Sequence, residues 1–489
     1  MMQVLLNSQG YTYDVHSLVK AFYPGEDVKV IEGVGDMAEA EADLVVFVSS
    51  GEVEQNEIVS GYIECTYNCS VDEKSIKEEY DKQDRTEVKS LLKRIIYRLL
   101  SEITGQSLPW GTLTGIRPTK IPMKMIYEGR NDEDIRAHMQ DVYLCSDEKI
   151  TLATNIAHLE KNIVDSVSED GYSLYIGIPF CPTTCLYCSF TSYPIVSWAK
   201  RTDEYIDCLK KEILYVNNLM DGKSPDSIYI GGGTPTTLSA VQLADLIDFV
   251  HNNIDCSSVK EFTVEAGRPD SITREKLVAL YEGGVTRLSI NPQTMNDKTL
   301  KLIGRQHTVS QIYDAFKIAR DIGFNNINTD LILGLPGEDE SDVEYTFNKI
   351  RELEPDSITV HSMAIKRAAG MHKYLSEHED IKSVNTPRMM ELASECAKSM
   401  GMEPYYLYRQ KNMSGNFENV GYAKAGKNGI YNILIMEEVQ TIIACGAGTV
   451  TKRVYGDGRI ERCDNVKDVA LYIDKIDEMI ERKRNLFSN

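Results

Sequence analysis

The sequence predicts an α/β fold, a partial (β/α)6 TIM-like barrel with an N-terminal α+β domain and a C-terminal α+β extension. Three observations carry that expectation. Six runs rich in Ile, Val, Tyr and Leu (SLYIGIPF, SIYIGGGTP, EFTVEAGRP, RLSINPQT, INTDLILGLP and SITVHSMA) begin near residues 173, 227, 261, 287, 327 and 357. Helix-period patterns such as 203–219 and 240–252 lie between them. Strands alternating with helices imply consecutive β–α units and a parallel sheet. Each run ends in unusual polar, Gly or Cys residues, and parallel barrels gather their chemistry at the carboxyl ends of the strands.

At 489 residues the chain exceeds the roughly 250–300 at which single cores stop growing. We expect domains at 1–165, 166–370 and 371–489. In the first, strand-like runs (QVLLN, DVKVIEG, DLVVFVSSG, GYIECTY) accompany the helical signal VHSLVKAFY. The segment EVKSLLKRIIYRLLSEIT puts Leu91, Leu92, Ile95, Ile96, Leu99 and Leu100 on one helical stripe. LPWGTLTGIRPTKI then reads as an ordered loop before another helix, with Arg117 and Lys120 as solvated charges. In the third, a helix over 386–400 precedes the polar-aromatic YYLYRQKNMSGN, a strand-like YNILIM and the segment CGAGTVTK. RVYGDGRIER, with Asp457 and Gly458 at its turn, reads as a hairpin before a final charged helix. We read this part as a lid or substrate domain.

Lys plus Arg is 53 against 74 for Asp plus Glu, a formal charge of −21, which argues against a nucleic-acid coat or an anionic-membrane binder. No apolar run approaches the roughly 18 residues that span a bilayer. The start MMQVLLNSQGYTYD lacks the features of a secretory signal. The expectation is a cytoplasmic monomer. Eleven cysteines, an odd number, make a disulfide framework a poor explanation. Cys208, Cys256, Cys396 and Cys445 read as buried small hydrophobes, and Cys65 and Cys69 as a structural pair on one side of a strand.

CPTTCLYC is different in kind. Its thiols Cys181, Cys185 and Cys188 could hold three irons of a four-iron, four-sulfur cube, leaving the fourth iron open to a ligand. Zinc, which thiolates also select, and a chance run are the competing readings. GGGTP, with Gly232, Gly233 and Thr234, lets backbone approach a ligand closely, or is simply a tight strand-to-helix turn. It has no GK[ST] ending, so a phosphate loop is weakly supported. Other strand ends supply Glu265, Gln293 and Asp330, each of which alone reads as a helix cap or solvated group. Arg305 adds a positive charge suited to a carboxylate.

Together YIGIPFCPTTCLYCSF, GGGTP, VEAGRPD, LSINPQT, GRQH and TDLILGLPGE resemble the radical S-adenosylmethionine (SAM) enzymes, and within them the oxygen-independent coproporphyrinogen III oxidase group. PYYLYRQKNMSGN, IMEE…GAGTVTK and PWGTLTGIRPTK resemble its HemZ type, the coproporphyrinogen dehydrogenases. The resemblance implies a [4Fe-4S] cluster on Cys181, Cys185 and Cys188, with SAM on the open iron. It places Tyr175 and Tyr187 against cofactor, and Gly232, Gly233 and Thr234 around its methionine end. Glu265, Gln293, Arg305, Asp330 and Ala364 would complete the sites of two SAM molecules. The implied chemistry is cleavage of the sulfonium by one electron, giving a 5′-deoxyadenosyl radical that takes a hydrogen from a substrate propionate. Loss of carbon dioxide and one electron leaves a vinyl group, and two rounds convert coproporphyrinogen III to protoporphyrinogen IX. The implied partners are that tetrapyrrole and a one-electron donor such as flavodoxin or ferredoxin. Lys366, Arg367, Arg409 and Lys411 are candidate cations for its propionates. Two positions depart from the studied oxidase type. Gly177 stands where that type has His, and Phe190 where it has a further Cys. Both make the loop resemble HemW-like haem-trafficking proteins, although Tyr431-Asn432 replaces their His-Asn pair. Haem delivery and a haem-opening radical methyltransferase are the alternatives.

Overall fold

The computed structural model describes the chain except residues 25, 34–41, 50–52, 55–56, 59–60, 69–72, 81–84, 116, 169, 365–369, 379–380, 410–416 and 489. It forms two compact units, Met1–His158 and Leu159–Asn489.

In the first unit a five-stranded sheet runs in the order Val28–Glu32, Met2–Leu6, Leu44–Ser49, Gly61–Asn68, Glu73–Tyr80. The first three strands are parallel and the last two antiparallel. Period-2 alternation turns Val4, Leu6, Leu44, Val46, Ile63 and Cys65 into a core with the helices Thr12–Phe22 and Arg85–Thr104. The stripe from Leu91 to Leu100 is buried in it as the periodicity predicts. Cys65 is fully buried and Cys69 lies outside the described residues.

The second unit is built on one open sheet of eleven strands. Its middle is the six expected strands in sequence order, all parallel: Tyr172–Ile178, Pro225–Gly232, Glu261–Gly267, Arg287–Ile290, Ile327–Leu333 and Ser357–Ser362. Helices such as Thr202–Leu219, Ala240–Asn253 and Val309–Ile322 connect them, the last two opened by capping boxes at Ser239 and Thr308. The sheet does not close on itself; its edge strands are Glu403–Tyr408 and Ile460–Asp464. It is a partial barrel.

The expected division after residue 370 has no counterpart in this sheet. Residues 371–489 contribute five of its strands, and Thr441–Cys445 pairs in parallel with the first barrel strand as a seventh parallel strand. The hairpin at Asp457-Gly458 forms, with Gly458 at φ 81. YNILIM, by contrast, is helical: Ile430–Glu437. A short apolar run fits either element by periodicity. Here the buried Glu261 carboxylate decides it, accepting from the amides of Ile430 (2.8 Å) and Tyr431 (3.2 Å) and capping the helix start. Of the cysteines expected in the core, Cys396 and Cys445 are buried, whereas Cys208, within the helix Thr202–Leu219, and Cys256, just past Ala240–Asn253, are half-buried.

Alternation gives the barrel strands two unlike faces. Leu174, Ile176, Ile178, Ile228, Ile230, Phe262, Val264, Leu288, Ile358 and Val360 form the buried apolar face. The opposite face carries Ser173, Tyr175, Ser227, Tyr229, Glu265, Arg287, Ser289, Asn328, Asp330 and Thr359. These side chains are cross-linked: Arg287 Nη2 to Ser357 (2.8 Å), Ser357 to Asn328 Oδ1 (3.0 Å), and Asn328 Nδ2 to Ser289 (2.9 Å) and Asp330 (2.8 Å). Closed parallel barrels usually fill this face with layers of Val, Ile and Leu. A polar inner wall suits a polar ligand instead.

Candidate active site

The cysteine loop leaves the first barrel strand and is tied down along its length. Leu186 N donates to Ile303 O (3.0 Å), Thr183 Oγ1 to Gly304 O (3.1 Å), and Met371 N to Leu186 O (2.9 Å). Arg268, buried and held bidentate by Asp270 (3.0 and 2.6 Å), donates to Thr183 O (3.0 Å) and Oγ1 (2.7 Å). These anchors hold the loop that carries Cys181, Cys185 and Cys188, half-buried thiols in no disulfide. Burial pushes the Cys181 thiol up to about 11. The Thr234 hydroxyl, 3.5 Å from its Sγ, opposes that shift, and the neighbouring Cys185 and Cys188 sulfurs add to it. Tyr187 accepts from Arg305 Nε (3.2 Å) and Nη2 (3.1 Å) while packing beside Ile303, Ile332, Leu335, Met363 and Met371. An apolar wall thus flanks the thiols.

The glycine turn lies against the same strand end. Gly233 N donates to Ile178 O (2.8 Å) and Thr234 N to Phe180 O (2.7 Å). Gly232 is at φ 109, and a Cβ on Gly233 would stand 2.5 Å from Phe180 O, so only glycine allows this approach. Both amides are therefore committed to the cysteine strand. What the turn offers a ligand is space and acceptors.

Those acceptors include Glu265. Its Oε1 accepts from the Tyr229 hydroxyl (2.6 Å) and its Oε2 from Gly232 N (3.2 Å). Burial pushes its carboxyl up to about 7, Tyr229 opposing and Asp330 adding. Asp330 goes the other way: burial works against its charge, but His361, Asn328 and Thr359 outweigh it and hold it below the ordinary carboxylate range. Two carboxyls on one rim with opposite shifts mark a site built for charge rather than a solvated edge. Gln293 joins Asp330 through backbone bonds (Gln293 N to Asp330 O, 3.0 Å) and sits at φ 72 with its buried Oε1 lacking a partner. A left-handed, non-glycine residue is strained backbone of the sort that clusters at functional sites. Arg305 also donates to Asn291 O, which places it between the cysteine loop and the fourth strand end. Tyr175 stacks on Tyr229 at 5.8 Å, and Tyr229 on Tyr431 at 4.5 Å. Ala364 lies half-buried just past the sixth strand. Arg409 is buried at the end of Glu403–Tyr408, and Lys366, Arg367 and Lys411 lie outside the described residues.

The donor set fits an iron–sulfur cluster. The three soft thiols share one loop and each feels the others' charge, the buried Arg268 and Arg305 lie close enough to offset thiolate charge, and the glycine turn adjoins Cys181. Among the described residues the thiols are not drawn into a preformed metal-binding cluster, so their closing on the iron–sulfur cluster belongs to its binding. Comparison with known proteins agrees. Residues 175–350 match the model of the Radical SAM superfamily. The chain is 39% identical over 463 residues, 91% of its length and 90% of the relative's, to the oxygen-independent coproporphyrinogen-III oxidase-like protein HemZ of Bacillus subtilis. It belongs to the radical SAM superfamily, in the oxygen-independent coproporphyrinogen III oxidase-like group. The heme chaperone HemW of Bacillus subtilis is also similar, 34% identical over 63% of this chain and 76% of its own. The structure of the radical SAM enzyme HemN, coproporphyrinogen III oxidase from Escherichia coli, superposes with a TM-score of 0.51 at 22% identity, over 66% of this chain and 73% of that one. That last likeness is one of fold.

Within this radical SAM fold several site residues escaped the sequence reading. Tyr229 was legible from alternation, because it shares a face with Gly231 and is the register partner of Tyr175. Arg268 was visible only as the Arg of EFTVEAGRP, and its tie to Thr183 is long-range. His307, in the GRQH run, is buried 3.8 Å from Asp270 with both ring nitrogens unpartnered; burial and then Arg305 keep it neutral, down to about 3. Tyr431 comes from the helix that was expected as a strand. Among the described residues no helix is long and apolar enough to cross a membrane.

Proposed function

We propose that this protein catalyses the oxygen-independent oxidative decarboxylation of two propionates of coproporphyrinogen III to vinyl groups, giving protoporphyrinogen IX. One observation carries the reading: a three-cysteine loop at the strand ends, beside a glycine turn and two carboxyls of opposite shift, on a chain similar to HemZ over 91% of its length. Cys181, Cys185 and Cys188 would hold a [4Fe-4S] cluster. Tyr175, Tyr187, Gly232, Gly233, Thr234, Glu265, Gln293, Arg305, Asp330 and Ala364 would line the sites of two SAM molecules. When bound, this pair supplies one-electron cleavage at a sulfonium, driven by a carrier such as flavodoxin or ferredoxin. The chain's own residues do the rest. Glu265 and the turn's carbonyls accept from an α-ammonium, and the buried Arg305 suits a carboxylate. The apolar wall of Ile303, Ile332, Leu335, Met363 and Met371 keeps water from the thiols.

A second reading, haem delivery, has one observation in its favour. A Cβ on Gly177 would stand 2.5 Å from Thr449 Cγ2, so the His of the studied oxidases has no room at this position. Anaerobic incubation of the reconstituted chain with coproporphyrinogen III, SAM and reductant, followed by mass analysis, separates the two. Two successive losses of carbon dioxide and two hydrogens support the oxidase. No product, together with a haem absorbance shift on titration, supports delivery, and an opened tetrapyrrole refutes both.

A further inference from the structure

The C-terminal extension reaches the cysteine loop through the turn at residues 446–448. Gly446 and Gly448 are at φ 108 and 73. A Cβ on Gly446 would stand 2.5 Å from Gly177 O, and one on Gly448 2.7 Å from Thr191 Oγ1. Gly177 precedes Cys181 and Thr191 follows Cys188 in the chain. The turn therefore abuts both feet of the loop that carries the three thiols.

A buried ion pair holds the turn. Glu212, on the helix Thr202–Leu219, and Lys483, on the last helix Ile476–Ser488, are fully buried and 2.5 Å apart. The Glu212 carboxylate is saturated. Its Oε1 accepts from Lys483 Nζ and Asn465 Nδ2 (2.8 Å), and its Oε2 from Gly446 N (2.7 Å) and the Tyr472 hydroxyl (2.6 Å). Asn465 also donates to Gly446 O (2.9 Å) and accepts from Lys483 (2.9 Å). Two turns back along the Glu212 helix face, the Tyr205 hydroxyl donates to Gly177 O (2.7 Å) and accepts from Ala447 N (3.0 Å).

Such a pair is an inefficient source of stability, because desolvating two ions offsets most of their attraction, and well-packed apolar residues often do as well. What it supplies is geometry: four donors from separate segments converge on one carboxylate. We propose that Glu212 and Lys483 are positioning residues for the cysteine loop, clamping the Gly446–Gly448 turn against Gly177 and Thr191 and so setting the spacing of the three thiols. The inference rests on the cluster-binding reading, which it deepens.

The test compares full-length wild type with the double variant Glu212→Gln/Lys483→Met, which removes both charges at once, and with Tyr472→Phe, which removes one donor and keeps the ring. Alkylation of Cys181, Cys185 and Cys188 is followed by mass spectrometry in the metal-free chain, with half-buried Cys256 as internal reference. Iron uptake after anaerobic reconstitution and the thermal midpoint are measured alongside. The double variant should alkylate at the loop about tenfold faster relative to Cys256 and take up less iron, and Tyr472→Phe should fall between. A folded double variant with wild-type loop reactivity and iron content overturns the clamp. If the double variant does not fold, Tyr472→Phe decides in the same way. Wild type that takes up no iron would sink the cluster-binding reading instead, while the alkylation ratio still judges the clamp.

Discussion

Glu265 shows how one residue's surroundings become a measurable property. Its carboxyl, ordinarily near 4.5, is pushed up to about 7 by burial. Between those values the folded chain keeps a proton that the unfolded chain has lost, so this group's contribution to stability falls as pH rises through that window. Glu265→Gln removes the dependence. Thermal melts should show the variant gaining on wild type from pH 5 to pH 8, and a constant gap would contradict the shift. Cys185 is tested more simply. On the proposed reading Cys185→Ala loses the broad iron–sulfur absorbance and all SAM cleavage, and a four-iron cluster retained in that variant refutes the assignment. The cysteine triplet was the most legible chemistry in the sequence, because its spacing within one loop is local. The opposite shifts of Glu265 and Asp330 were not legible. They depend on burial in the assembled sheet and on Tyr229 and His361, which come from other strands.

At the scale of elements, the six barrel strands were readable because each combines a β-branched and aromatic run with a turn signal at its end. The helix Ile430–Glu437 was not, because IYNILIME has no polar face to reveal its period. Its start depends on Glu261, which accepts from two of its free amides. Glu261→Ala should cost about 1–2 kcal/mol in urea denaturation, the usual loss for a removed cap. Glu261→Gln, which keeps one oxygen acceptor, should cost less. Equal losses in the two variants would show that the cap acts only through charge. Because Tyr431 stacks on Tyr229 beside Glu265, fraying of this helix should also raise the SAM dissociation constant.

The whole chain comprises two units, each with its own sheet. Two cores predict two thermal transitions by calorimetry. All the candidate cluster and SAM residues lie in Leu159–Asn489, so reconstitution with iron, sulfide and SAM should raise one transition and leave the other in place. Movement of both together would show that Met1–His158 does not unfold independently. What the sequence determined by itself was whatever is written in short windows: alternation, helical stripes, the hairpin turn and the spacing of three cysteines. Tertiary structure alone decided which distant segments meet. It merged residues 371–489 into the barrel sheet, lodged Gly446 against Gly177, and buried Glu212 with Lys483. The reason is that local pattern fixes backbone preference, whereas the pairing of sheet edges and buried charges depends on contacts hundreds of residues apart, whose energies no window of sequence contains.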